Sequence, residues 1–168
     1  MYDVVTFGEA MVRLSPPNSQ RLEQAQSLDV HVGGAELNVA VGVTRFGMKS
    51  AWISKLPKNG LGYMIRDRAQ AFGVDCSHVV WSDRGRAGLY FVEFGSSPRA
   101  SSVLYDRANS AISMVQPGEV DWGKVFNGTK HFHMSGITPA LSGSAAQVTV
   151  EALKAAKKAG CTVSYDLN

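Results

Sequence analysis

The sequence predicts an α/β fold built on a mostly parallel sheet, and three observations carry that prediction. Short runs rich in β-branched and aromatic residues alternate with stretches of helical periodicity, the order expected when strands are joined by crossover helices. The helical stretches stop at Gly47, Gly73 and Gly160, residues suited to helix exits. Two regions, Arg13 to Val32 and Gly88 to Arg107, break the rhythm with short alternating runs interrupted by Pro, Gly and Ser. They read as antiparallel strands lying outside the main sheet.

The first strand-like run is Val4 to Phe7, ending in the polar turn Gly8-Glu9. Leu37, Val41, Thr44 and Phe46 fall near helical spacing and predict a helix with that face inward. A second strand follows at Ala51 to Ser54, and a second helix at Leu61 to Phe72. Leu89 to Phe94 and Ser102 to Arg107 have the form of a hairpin around residues 95 to 99. Lys130 to Met134 is a strand closed by Ser135-Gly136. The last helix, Ser144 to Ala159, points Val148, Ala152, Ala155 and Ala156 inward and places Lys157 and Lys158 in its final turn, where cations complement the helix dipole. Thr162 to Tyr165 is the final strand.

With 168 residues, 45% hydrophobic and 18% charged, the chain has the composition of a single globular domain with a substantial core. Lys and Arg number 17 against 14 Asp and Glu, a surplus of three charges with no basic block, which argues against nucleic-acid binding. That bias suits an anionic small molecule, although scattered surface charge explains it equally well. Cys76 and Cys161 have no metal-ligand spacing, and the N-terminus lacks the charged and apolar regions of a signal peptide, so a reduced, cytoplasmic protein is expected. No apolar run approaches the roughly 20 residues needed to span a bilayer.

In an open α/β sheet, ligands gather beyond the carboxyl ends of the strands. Gly8-Glu9, Ser135-Gly136 and Asp166-Leu167-Asn168 occupy such places. Gly33 and Gly34 precede a helix, so backbone N–H groups there are free to meet a ligand, and Asn38 follows Gly34 by one helical turn. The simpler alternative is a tight turn capped by Asn38. Tyr90, Tyr105 and Arg107 form a second cluster, two phenols and a guanidinium able to grip a carboxylated sugar; otherwise the tyrosines are cross-strand packing partners and Arg107 a solvated charge. His131 and His133 alternate on one strand, where packed histidines are expected rather than a metal pair. Glu9 reads as a polar strand-end residue bonded to nearby backbone.

The segment Val32-Gly33-Gly34-Ala35-Glu36-Leu37-Asn38-Val39-Ala40, the opening Asp3 to Glu9 and the stretch Ser135 to Ser142 together resemble the N-terminal half of PfkB/ribokinase-family sugar kinases. Within that family the likeness is to the 2-keto-3-deoxygluconate kinases, and it runs over essentially the whole chain. The resemblance implies a ribokinase-like three-layer sandwich with a small β lid made by segments of about 13–32 and 88–107. It implies substrate contacts at Gly33, Gly34, Asn38, Tyr90, Tyr105 and Arg107, with Ser110-Ala111-Ile112 continuing the pattern. Residues 1–168 would be the N-terminal part of the kinase domain, with Asn168 the last piece of the phosphate region. The catalytic Asp, ATP and Mg2+ would belong to a nucleotide-binding half beyond it. The chain alone would then be inactive, its partner a small sugar acid, and its assembly a homo-oligomer through the lid. Many relatives that bind neutral sugars carry an acid near the position of Arg13, so Arg13 disfavours ribose or fructose. A fructokinase- or ribokinase-type enzyme and a non-catalytic ligand-binding fragment are the alternatives. A dinucleotide oxidoreductase is disfavoured because no Gly-x-Gly-x-x-Gly follows the first strand.

Overall fold

Residues of a strand alternate between faces, and in the first strand both faces are buried: Val5 and Phe7 on one, Thr6 on the other. Such a strand belongs in the middle of a layered structure. The computed structural model describes residues 1–168 and places it there. In chain order the elements are β1 Val4–Phe7, β2 Met11–Ser15, β3 Asp29–Gly33, α1 Ala35–Arg45, β4 Ser50–Ile53, β5 Lys55–Pro57, α2 Gly60–Ala71 and β6 Val80–Ser82. There follow β7 Gly88–Glu93, β8 Ser102–Asp106, α3 Trp122–Phe126, β9 His131–Ser135, α4 Ile137–Ala140, α5 Gly143–Lys158 and β10 Thr162–Asp166.

The central sheet has the order β10-β9-β1-β4 and is parallel throughout. One face buries Val5, Phe7, Ile53, Phe132 and Met134 against α3 and α5, with Val148, Ala152 and Ala156 of α5 fully enclosed. The other face packs Trp52 against α1 and α2 through Leu37, Ala40, Ile65 and Ala69. Helix ends follow local chemistry. Asn59 caps α2 by accepting from the N–H groups of Leu61 and Gly62, both at 3.1 Å. Ser142 Oγ caps α5 by accepting from Ala145 N–H at 3.0 Å. Gly47, Gly73 and Gly160 all have φ near +80°, as the sequence predicted for helix exits.

The predicted irregular regions form a second four-stranded sheet, order β3-β2-β7-β8, with the expected antiparallel hairpin of β7 and β8. One expectation is corrected. Although β2–β3 and β7–β8 are antiparallel, β2 and β7 run parallel, because the chain between them makes a long crossover through α1, β4 and α2. The inward face of α1 also differs. Phe46 is 86% exposed, and the buried positions are Glu36, Leu37 and Ala40. Phe46 lies past the last helical turn, so helical spacing no longer fixes its direction. Two pieces too short for a periodicity signal were not foreseen: the parallel pair β5–β6 and the one-turn helices α3 and α4. No helix is long and apolar enough to cross a membrane.

Candidate functional site

Because the central strands are parallel, the residues that follow them collect at one edge. Glu9 follows β1, Gly136 follows β9 and Asn168 follows β10. The second sheet stands over this edge. Gly33, Gly34, Asn38, Tyr90, Tyr105 and Arg107 line a single cavity of about 200 Å³, together with Met11, Ala35 and Ile137. All six residues singled out from the sequence as one sugar-binding set therefore meet in space. Asn168 lies next door, in a cavity of about 360 Å³ lined also by Arg107, Gly136, Ile137, Ala140 and Leu141. Arg107 and Ile137 form the wall between the two.

The paired glycines are required by close approach, not by left-handed backbone. Gly34 is extended at φ 178°, and neither glycine lies in the left-handed region. A Cβ on Gly33 would collide with the Tyr90 hydroxyl, and one on Gly34 with the Glu9 carbonyl oxygen. The two missing side chains thus let the lid-like sheet and the strand end close onto the start of α1. Asn38 is exposed, one turn into that helix, and its N–H donates to Gly34 C=O at 2.8 Å.

Tyr90 and Tyr105 sit directly opposite on β7 and β8 with ring centroids 5.9 Å apart and nearly parallel planes. The packing alternative is thus real as well: the same two rings make a cross-strand pair and line the cavity. Burial pushes the Tyr90 phenol above its ordinary value, with Arg13 acting in the opposite direction, so Tyr90 is a neutral hydrogen-bonding group. The Arg107 guanidinium lies 5.7 Å from the Tyr105 ring centroid and forms an ion pair with Glu9. Arg107 is therefore not a free solvated charge, and Glu9 is not bonded to local backbone as its sequence context suggested. The Glu9 side chain is 2% exposed and ties the end of β1 to a residue 98 positions away.

A second buried carboxylate escaped the sequence reading. Glu36, in the first turn of α1, is fully buried and accepts hydrogen bonds from Ser135 Oγ at 2.6 Å and Ser135 N–H at 3.1 Å. Ser135 Oγ in turn accepts from Ile137 N–H at 3.2 Å, so Glu36 anchors the turn that lines both cavities. Burial raises its carboxyl above the usual range despite those bonds. The available signal was an acid immediately after a glycine pair at a helix start, where the dipole favours negative charge. His131 and His133 bond to hydroxyls of the neighbouring strand: both reach Ser164 Oγ at 2.8 Å, and His131 Nδ1 also reaches Thr162 Oγ1 at 2.7 Å. No group of three or more His, Cys, Asp or Glu side chains is arranged to hold a metal ion.

The site therefore offers backbone amides, an amide side chain, two phenols and a guanidinium around a sugar-sized volume. It can orient a polyhydroxylated ligand, but it presents no unpaired base beside that volume. The chain resembles a 2-dehydro-3-deoxygalactonokinase of Haloferax volcanii, 44% identical over 99% of this chain and 52% of that protein. A 2-dehydro-3-deoxygluconokinase of Bacillus subtilis is 34% identical over 99% of this chain and 51% of that protein. Among solved structures, a 2-dehydro-3-deoxygluconokinase from Thermotoga maritima superimposes with a TM-score of 0.96 at 45% identity, covering all of this chain and 51% of that one. A fructokinase from Xylella fastidiosa with bound ATP superimposes with a TM-score of 0.84 at 26% identity, covering 52% of its length. This chain thus spans about half the length of the relatives it matches. Along its entire length, residues 1–168, it belongs to the pfkB family of carbohydrate kinases.

Proposed function

We propose that this chain is the substrate-binding half of an ATP-dependent kinase for a 2-keto-3-deoxy sugar acid, 2-keto-3-deoxygluconate foremost. The observation that carries this reading is the convergence of Gly33, Gly34, Asn38, Tyr90, Tyr105 and Arg107 on one cavity that Arg107 shares with Asn168. In this reading the glycine N–H groups and the Asn38 amide hold sugar hydroxyls. Tyr90 and Tyr105 donate from the lid, and Arg107 engages the carboxylate. The terminal hydroxyl points across Arg107 toward Asn168, where the phosphoryl group arrives.

The chain's residues fit the phosphoryl end of ATP only at this boundary, where a guanidinium and an amide face an open cavity. In this reading Mg2+ and the catalytic base are assigned to the nucleotide-binding half, as the resemblance to the sugar kinases implies. ATP supplies the phosphoryl group, while this half orients the acceptor and, as the β2–β3–β7–β8 lid closes, excludes water. The enzyme acts in the cytoplasm and assembles as a homo-oligomer through that lid.

Kinase assays on the full-length polypeptide, comparing 2-keto-3-deoxygluconate, 2-keto-3-deoxygalactonate, fructose and ribose, test the proposal. It requires kcat/KM to be highest for one of the two acids, with the phosphate on the terminal hydroxyl. Preferred turnover of fructose or ribose would overturn it.

A further inference from the structure

Arg107 cannot by itself make the cavity attractive to an anion, because its charge is already matched by Glu9, whose carboxylate is 2% exposed and points at the guanidinium. Glu36, the other carboxylate beneath the site, is buried and bonded to Ser135. Arg13 is a further cation of the same sheet, set just outside the lining of the cavity. It stands on β2 directly beside Tyr90, which in turn faces Tyr105, so the three side chains form one cross-strand row on the same face of the lid. Met11, two residues earlier on that face, lines the cavity itself. Arg13 has no carboxylate partner: it is in none of the ion pairs of the chain, and its Nε is buried without an acceptor. Its guanidinium instead rests 5.9 Å from the ring centroid of Phe94, a half-exposed residue beyond the end of β7. A guanidinium that meets an aromatic face and no carboxylate keeps its full positive charge, which acts on the cavity across Tyr90.

Resting on the sugar-acid reading above, we propose that Arg13 is the specificity-determining cation of this site, the uncompensated charge that makes the lid favour a carboxylated sugar over a neutral one of equal size. Arg107 then supplies geometry, and Arg13 supplies net charge.

The test is steady-state kinetics on the full-length kinase with 2-keto-3-deoxygluconate and its neutral analogue reduced at the carboxylate, for the wild type, Arg13→Gln and Arg13→Lys. R13Q is expected to raise KM for the acid roughly tenfold, the scale of one unit charge acting over several Å near a surface. Its kcat and its KM for the neutral analogue should stay within about twofold, and R13K should restore most of the loss. The wild-type preference for the acid should also fall as salt is raised, since the charge is partly exposed. If the wild type prefers the acid but R13Q keeps that preference, Arg13 is not the determinant and the sugar-acid reading survives. If the wild type does not prefer the acid, the sugar-acid reading itself fails. Should R13Q not fold, the salt series and R13K decide, and a wild-type preference indifferent to salt overturns the proposal.

Discussion

The Tyr90 hydroxyl occupies the space in which a side chain on Gly33 would begin. Gly33→Ala should therefore destabilise the protein by about 1–3 kcal/mol through overpacking, since the obstacle is a ring held in a cross-strand pair. The next Tyr90 atom, Cζ, lies 3.4 Å from the added Cβ, an ordinary contact. Removing the oxygen should thus relieve the clash. Thermal unfolding of G33A, Y90F and the double variant checks this: the double variant should be more stable than G33A alone.

Unequal burial of the Glu9–Arg107 pair predicts unequal damage. The Arg107 side chain is 24% exposed and can turn to water when Glu9 is lost, so Glu9→Gln should cost about 1–3 kcal/mol. Glu9 is 2% exposed and cannot rehydrate, so Arg107→Gln should cost more, toward the ~3–5 kcal/mol of a buried charge left alone. Urea midpoints at constant m-value measure both. Equal losses would mean that the pair is solvated in solution.

Burial holds both His131 and His133 below the ordinary histidine value of 6.5, with the neighbouring His133 lowering His131 further and Asp166 partly opposing the shift at His133. A depressed value means that the unfolded chain takes up protons first. Their stabilising contribution is present above pH 6.5 and is lost as pH falls below it toward the folded-state values. Glu36 works with the opposite sign, its contribution present below its ordinary value of 4.5 and lost as pH rises from there. Because Glu36 opposes the histidines between pH 8 and pH 5, the contrast is read against a variant lacking both histidines, His131→Asn with His133→Asn. Below pH 6.5 the wild-type melting temperature should fall relative to that of the variant.

Cys76 is buried and its thiol is pushed up to about 12 by burial and by Asp75, so at neutral pH it carries almost no thiolate. Burial also raises Cys161. In the native protein both should react with a thiol reagent orders of magnitude more slowly than in denaturant. Rapid labelling of Cys76 at pH 7.5 without denaturant would show local opening around α2.

The strand and helix alternation, the glycine helix exits and the hairpin of β7 and β8 were legible because each is encoded within a few residues. That Gly33, Gly34, Asn38, Tyr90, Tyr105 and Arg107 share one cavity was anticipated through the resemblance to the sugar kinases, since residue types alone left packing and capping readings open. Partners across sequence were not. Nothing near Glu9 names Arg107, and nothing near Glu36 names Ser135, because each contact spans about a hundred residues and exists only once the sheets are stacked.

By itself, then, the sequence determined the α/β class, the order of the longer strands and helices and the residue types available for binding, since local periodicity and backbone preference set these. Tertiary structure alone decided that β2 runs parallel to β7, that Gly33 and Gly34 serve close approach, and that Arg107 is neutralised while Arg13 is not. Those outcomes depend on distance and burial, and electrostatics and packing act through space, not along the chain.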